Sequence, residues 1–414
     1  MSASLLRRVV ITGIGLVSPV GNTPETFFNA LLNGQSGIKR LDADFTDQLD
    51  VKLAAQASFD GSEYFTKKEL AILDRVSQFA LYSACEALKD ANLDLRSMNL
   101  DRMGSFIGTG MGGANSTEEG YDCLFNKKAR RLKPFTVLMA MNGAAASQVS
   151  MRFKLKGPNI TYTTACSSSA VAIGEAYRQI KHGYTDAAFA GGTEALLTFG
   201  TIKAWEALRT LAEEDPNDPA ASCKPFSLNR TGLVLGEGAA ILILEEMVMA
   251  KARGAKIYGE ITGYGSTNDG DHITQPSVEG QSRAMKAALD DAKLNPNDIG
   301  YINAHGTGTL LNDATETAAI KNVFSNFAYQ IPVSSTKSMH GHLMGAAGAV
   351  EIVATLLALV QKELPPTINL KEPDYACDLD YVPNQKRVLK ELNHVMSNSF
   401  AFGGTSSVII ISKI

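Results

Sequence analysis

The segment TTACSSSA (163–170) sets Cys166 between a β-branched run and a cluster of small hydroxyls. A cysteine so placed is either a nucleophile or a small buried residue at a tight turn. The strand-like NITYTTA precedes it, and SSSAVAIGEAYRQIKHG, amphipathic and ended by a glycine, follows. That order puts the sulfur at a helix N-terminus, where unpaired N–H groups and the macrodipole favour thiolate. Serine and threonine are also ordinary helix caps, so the segment by itself leaves both readings open.

Further candidates lie in the second half of the chain. His305 sits in NAHGTGT, just beyond the strand-like IGYI, where α/β sites usually form. His340 and His342 share the turn STKSMHGHLMGAAG. An H-x-H pair with no third ligand pattern nearby is a weak metal motif, and no metal is expected. Neutral imidazoles donating to a developing oxyanion make better sense beside a cysteine nucleophile. Lys337 opens the same turn and needs an acidic partner; Asp313, Glu316 and Glu351 are the candidates, each equally readable as part of a solvated helix face. In NSFAFGGTSS, Phe400 and Phe402 flank Ala401, and Gly403 and Gly404 follow, which allows backbone movement.

Elements to position these residues are legible along the whole chain. RVVITGI, MGSFIGT, NITYTTA, DAAFAGG, AAILILEE, GEITGYG, IGYINAH, IPVSSTK and SSVIIIS read as strands, most of them apolar on both faces. Helical patterns such as ELAILDRVSQFALYSACEALKDANL and QSRAMKAALDDAKL lie between them, which implies a layered α/β fold. The halves also resemble each other. ACEALKDANLDLRSMNLDRMGSFIGTG parallels KAALDDAKLNPNDIGYINAHGTG, RVVITGIG parallels YGEITGYG, and strand–Cys166–helix parallels strand–Lys337–turn–helix. A unit of roughly 150 to 250 residues is therefore duplicated about a joint near MAKARGAKIYG. Residues 1–256 form the half with the cysteine, and 257–414 the half with the histidines and lysine.

Composition excludes several classes. The 414 residues are 45% hydrophobic and 20% charged, ordinary for a globular protein, and a net charge of −4 argues against a nucleic-acid binder. Five cysteines without a CxxC pair give no disulfide framework and suit a cytoplasmic setting. The start MSASLLRRVVITGIGLVSPVG has two arginines before an apolar run, but the run is short and glycine-broken, so a first strand is expected rather than a signal peptide. GAAGAVEIVATLLALV carries Glu351 and is too short to span a bilayer. GIGLVS lacks the third glycine of a dinucleotide fingerprint, and IGTGMGG lacks a following Lys-Ser/Thr, so neither points to a nucleotide cofactor.

VVITGIGLVSPVG, TACSSSA, GGTEA, FSLNRTGLVLGEGA, AHGTGT, STKSMHGHLMGAAGAVE and SFAFGGT, in this order, resemble the elongating β-ketoacyl-[acyl-carrier-protein] synthases, closest to synthase II. The resemblance implies a thiolase-like duplicated five-layer α-β-α-β-α sandwich, normally a homodimer. It implies decarboxylative condensation of an acyl chain with a malonyl unit, with Cys166 as the acyl-accepting nucleophile. His305 and His342 complete the Cys-His-His set, and Lys337 matches the family's buried lysine, with Glu316 or Asp313 as its partner. Backbone N–H groups of Cys166 and Phe402 match the oxyanion hole, with Phe402 and Gly403 in the gating turn. Thr307 and Thr309 match the pair that binds phosphopantetheine, an arm brought by the acyl carrier protein rather than a resident cofactor. Met111 and Phe400 fall among the substrate-binding positions, Met111 lining the acyl pocket. Ala401 in place of the usual glycine, serines in TACSSSA, and Ala71 and Ile72 after Lys67 and Lys68 depart from the pattern. These departures point to a specialised carrier or chain, as in polyene or polyketide pathways, where a synthase pairs with a chain-length-factor-like subunit. The basic KKARRLK (127–133) is a second candidate contact for an acidic carrier.

Overall fold

The computed structural model describes residues 6–414, so the first five residues of the signal-like segment lie outside the described residues. Within the rest of that segment, Val9–Val17 form a wholly buried strand, as the apolar run requires. Ten strands make one mixed sheet: β1 (Val9–Val17), β2 (Met103–Gly108), β3 (Asn159–Tyr162), β4 (Ala187–Glu194), β5 (Gly238–Glu246), β6 (Gly259–Asn268), β7 (Tyr301–Asn303), β8 (Val333–Ser334), β9 (His394–Phe400) and β10 (Thr405–Ser412). Their spatial order is 8-7-9-10-6-1-5-4-2-3. The first five run 3-2-4-5-1 and the last five repeat that order, with the same pattern of parallel and antiparallel pairs. β1 and β6 meet antiparallel through Val9–Ile11 and Gly259–Ile261, so the expected two sheets are joined along one short seam.

Six helices complete the layers: α1 (Arg75–Asp90), α2 (Ala144–Phe153), α3 (Ser168–Lys181), α4 (Val278–Ala292), α5 (Leu310–Phe324) and α6 (Ala347–Gln361). α1 and α2 cover one outer face, α4 and α5 the other, and α3 packs on α6 between the two halves of the sheet. This is the α-β-α-β-α arrangement. The repeat extends to single contacts. A Cβ on Gly13 or Gly15 of β1 would fall 2.2 or 1.9 Å from the Ala87 or Ser83 carbonyl oxygen of α1. On Gly263 or Gly265 of β6 it would fall 2.2 or 2.1 Å from those of Ala288 or Ala284 of α4. α1 and α4 thus each lie directly on a glycine pair.

Two features differ from the sequence reading. The long helical pattern at 69–93 breaks at Asp74, whose carboxylate caps α1 by accepting the Val76 N–H at 3.0 Å. β9 (HVMSNSF) reads poorly as a strand because Ser397, Asn398 and Ser399 carry hydroxyls and an amide into the interior, where all three are buried. Among the described residues, one helical stretch, Met344–Gln361, is long and apolar enough to cross a membrane. Its buried length forms α6 and the turn before it.

Candidate active site

Cys166 stands in the single-turn helix Ala165–Ser167 between β3 and α3. Ala165 opens the turn at φ +49°, a conformation that costs an L-residue energy and must be held from outside. The serines of TTACSSSA hold it. Ser168 Oγ donates to the Ala165 carbonyl at 2.6 Å and accepts the Thr164 N–H at 2.9 Å, and Ser167 Oγ donates to the Thr164 carbonyl at 2.9 Å. Ser169 Oγ reaches the other half, accepting the Ala349 N–H of α6 at 2.9 Å. The position at a helix start does not produce a thiolate: Cys166 is 4% exposed, and burial pushes its thiol up to about 12. The Lys337 charge and the N–H groups of Phe402 and Cys166 oppose that rise, and Glu194 adds to it.

Two histidines from the second half face this sulfur. Cys166, His305 and His342 bring ligand atoms within 4.8 Å of one another, all buried, with the two rings edge to face at 5.4 Å. His305 follows β7, and His342 lies in the turn between β8 and α6. Burial, then the Lys337 charge, holds both imidazoles well below their ordinary 6.5, so both are neutral. His342 Nδ1 accepts the Met344 N–H at 3.3 Å, and Lys337 Nζ lies 3.4 Å from His305 Nδ1. With both Nδ1 atoms accepting, the proton of each ring is assigned to Nε2. Two N–H donors then serve the cavity, a set suited to a carbonyl oxygen gaining charge. A metal would need those nitrogens bare and would sit beside the Lys337 cation, so the donor set does not fit one. His340 is outside the group: its Nδ1 is 2.8 Å from the Gly341 carbonyl and its Nε2 2.9 Å from Thr336 Oγ1.

The acidic partners sort differently from expectation. Lys337, fully buried, pairs with Glu351 of α6 and not with Glu316 or Asp313, and donates to the His305 carbonyl at 2.7 Å. Glu316 accepts the N–H groups of His305 and Gly306 at 2.9 and 2.8 Å and the Asn398 amide at 3.1 Å. Asp313 accepts the N–H groups of Phe226 and Gly308 at 2.8 and 3.2 Å, with Arg230 at 3.8 Å. Both acids brace the turn that carries His305; neither lies on a solvated helix face.

A cavity of about 370 Å³ opens onto Cys166, His305 and His342, and Thr307, Thr309, Phe400 and Phe402 line it. Thr307 and Thr309 join their hydroxyls at 2.9 Å. Phe402 stacks on Trp205 at 6.1 Å, and Phe400 lies 6.0 Å from His305. Gly403 takes φ +83° and donates its N–H to the Ile273 carbonyl at 2.7 Å. Met111 is not part of this lining: it is 46% exposed, on the turn after β2 where Glu194 accepts its N–H and Gly112 follows at φ +57°. Trp205 and Glu194 were not singled out from sequence. A carboxylate closing the apolar strand AAFAGGTE was the available signal for Glu194.

The β-ketoacyl synthase N-terminal domain matches residues 6–250 and the C-terminal domain matches 258–371. The chain belongs to the β-ketoacyl synthase family. It is 44% identical over 410 residues to a Staphylococcus aureus protein named 3-oxoacyl-[acyl-carrier-protein] synthase 2, covering 98% of each chain. A Synechocystis protein of the same name is 43% identical over 412 residues, again with 98% of each covered. Among solved structures, a ketosynthase from Burkholderia phymatum superposes with a TM-score of 0.91 at 35% identity, covering 99% of this chain and all of that one. A ketosynthase bound to its type II polyketide acyl carrier protein and a hexaketide gives 0.91 at 34%, with the same coverage. The ishigamide ketosynthase/chain length factor gives 0.91 at 31%, also with the same coverage.

Proposed function

We propose that this β-ketoacyl synthase condenses an acyl chain, held as a thioester on Cys166, with malonyl-[acyl-carrier-protein], releasing carbon dioxide and 3-oxoacyl-[acyl-carrier-protein]. The observation that carries the reading is the meeting of one sulfur from the first half with two Nε2–H donors from the second. In the first step the Cys166 sulfur attacks the acyl thioester and the carrier thiol leaves with the proton. The N–H groups of Cys166 and Phe402, which face the sulfur, receive the tetrahedral oxyanion. In the second step His305 and His342 donate to the malonyl thioester carbonyl as the carboxylate departs as carbon dioxide. The resulting enolate carbon attacks the Cys166 thioester, the C–S bond breaks, and the sulfur regains a proton. Lys337, anchored by Glu351, holds His305 as a donor through its Nδ1. The phosphopantetheine arm arrives with the carrier and runs past Thr307 and Thr309; Phe402 and Gly403 form the gate, and Phe400 borders the acyl chain.

The carrier is an acidic protein in this reading, and the exposed Lys67, Lys68 and 127–133 run are its contacts. The halves divide at 256/257. A second copy of the chain docks along the edge strand β3, where Ile160, Val137, Leu138 and Met141 are exposed. In this reading the cytoplasm is the place of action. Mass spectrometry after incubation with a panel of acyl carriers tests the reading: the acyl group should appear on Cys166, and Cys166→Ala should abolish it. His305→Ala or His342→Ala should suppress malonyl decarboxylation. Acylation of another cysteine, or an unchanged mass with every carrier, refutes it. Full activity as a homodimer with a housekeeping carrier and saturated chains would exclude the specialised polyene or polyketide role. Loss of decarboxylation by the isolated chain would indicate a chain-length-factor-like partner instead.

A further inference from the structure

The reaction described above leaves one buried carboxylate near the sulfur without a part. Glu194 ends β4 and is fully shielded from solvent. Its Oε2 accepts the N–H groups of Gly110 at 2.7 Å and Gly345 at 2.9 Å. Its Oε1 accepts the Met111 N–H at 3.0 Å and the Thr109 hydroxyl at 3.2 Å. Thr109, Gly110 and Met111 form the turn after β2, in the first half. Gly345 belongs to the second half, at the place Cys166 holds in the first. Ala165 at φ +49° opens Ala165–Ser167 before α3, and Met344 at φ +46° opens Met344–Ala346 before α6. One side chain therefore ties the floor of the first half to the turn that carries His342. Successive N–H groups of that turn are divided between them, Met344 to His342 Nδ1 and Gly345 to Glu194. A Cβ on Gly345 or Gly110 would approach Glu194 Oε2 to 2.6 or 2.8 Å, so the carboxylate reaches backbone only because both residues are glycine.

We propose that Glu194 is a positioning residue for the condensation, fixing across the two halves the turn that aims His342 Nε2–H at the malonyl carbonyl. The proposal rests on the reaction proposed above. Glutamine in this place turns an NH2 group toward backbone N–H donors that cannot rotate away, and it removes the negative charge. Aspartate keeps the charge but is one methylene too short to serve Gly110 and Gly345 together.

The test compares malonyl-carrier decarboxylation with Cys166 alkylation by iodoacetamide at pH 8 in wild type, Glu194→Gln and Glu194→Asp. The charged and titratable groups facing Cys166 are Lys337, Glu194, His305 and His342. Glu194→Gln is expected to lower decarboxylation kcat by roughly tenfold to a hundredfold with KM little changed, the usual cost of a catalytic group misplaced by about 1 Å. The same variant should alkylate severalfold faster, because a negative neighbour of the thiol has gone. Glu194→Asp should keep the wild-type alkylation rate and the decarboxylation defect. Wild-type decarboxylation in Glu194→Gln overturns the proposal, and so does a parallel fall in both rates, which is general loosening. If the Glu194 variants do not fold, Gly345→Ala decides: it drives a methyl between the Gly110 N–H, 2.3 Å away, and Glu194 Oε2, 2.6 Å away, which parts the bonds that join the two turns with the charge intact, so decarboxylation should be lost, and wild-type activity there overturns the proposal. A wild-type chain inert toward malonyl-carrier refutes the reaction and this role with it; an active wild type beside an active Glu194→Gln refutes only the role.

Discussion

Replacing Lys337 by methionine keeps most of the side chain's length and removes its charge and three hydrogen-bond donors. Glu351, the ion partner, is 1% exposed, and burial already pushes its carboxyl from the ordinary 4.5 to about 7 while the Lys337 charge opposes the rise. Without that charge the carboxyl stays protonated at pH 8. The folded variant then holds a proton that the unfolded chain releases above 4.5, so its stability falls as pH rises. At about 1.4 kcal/mol per pH unit, the penalty is ~2 kcal/mol at pH 6 and ~5 kcal/mol at pH 8. The upper figure agrees with the ~3–5 kcal/mol typical of removing one partner from a buried ion pair. Adding Glu351→Gln abolishes the titration. The double variant should therefore be more stable than Lys337→Met, by a margin that widens by ~3 kcal/mol from pH 6 to pH 8 in urea unfolding. Both variants should lose malonyl decarboxylation, since His305 Nδ1 has lost its donor. A margin independent of pH, or a double variant weaker than the single one, would refute Glu351 as the partner of Lys337.

The thiol itself gives a second prediction. With Cys166 pushed up to about 12, its alkylation by iodoacetamide in the free enzyme should rise about tenfold per pH unit through pH 9, and a plateau near pH 8.5 would contradict the burial argument. Packing gives a third. Gly265→Ala puts a methyl 2.1 Å from the Ala284 carbonyl oxygen and should destabilise the second half by ~1–3 kcal/mol or more, with α4 displaced. An unaltered unfolding midpoint would show that the helix does not lie where it is described.

The duplicated architecture was legible because its signals are local. Strand, glycine pair and helix recur as RVVITGIG with α1 and as YGEITGYG with α4, and each fragment can be matched without knowing the other's fold. β9 was not legible, because its interior polar residues serve the site: Asn398 Nδ2 donates to Glu316 at 3.1 Å, and Ser397 and Ser399 break the apolar alternation that marks a strand. The candidate catalytic group was legible residue by residue but not as geometry. Cys166, His305, His342 and Lys337 lie together, while Met111, placed by position in a motif, is exposed.

The acids show why spacing failed to select a partner. The turn 305–308 runs through Gly306 and Gly308, both at positive φ, and the N–H groups of His305, Gly306 and Gly308 are buried without strand carbonyls to accept them. Glu316 and Asp313 lie one helical turn apart on α5, directly behind this loop, and are used up as its acceptors. A buried N–H left unpaired costs ~1–3 kcal/mol, and either acid would leave two of them by reaching for the lysine: His305 and Gly306 behind Glu316, or Gly308 and Phe226 behind Asp313. Lys337 is left with Glu351, and α6 could not reveal that choice beforehand. Nearly every residue of α6 is buried, so it has no polar face to show which way Glu351 points. In a site built from backbone-rich glycine turns, the unpaired N–H groups claim the nearest acids, and the cation is matched to the one that remains.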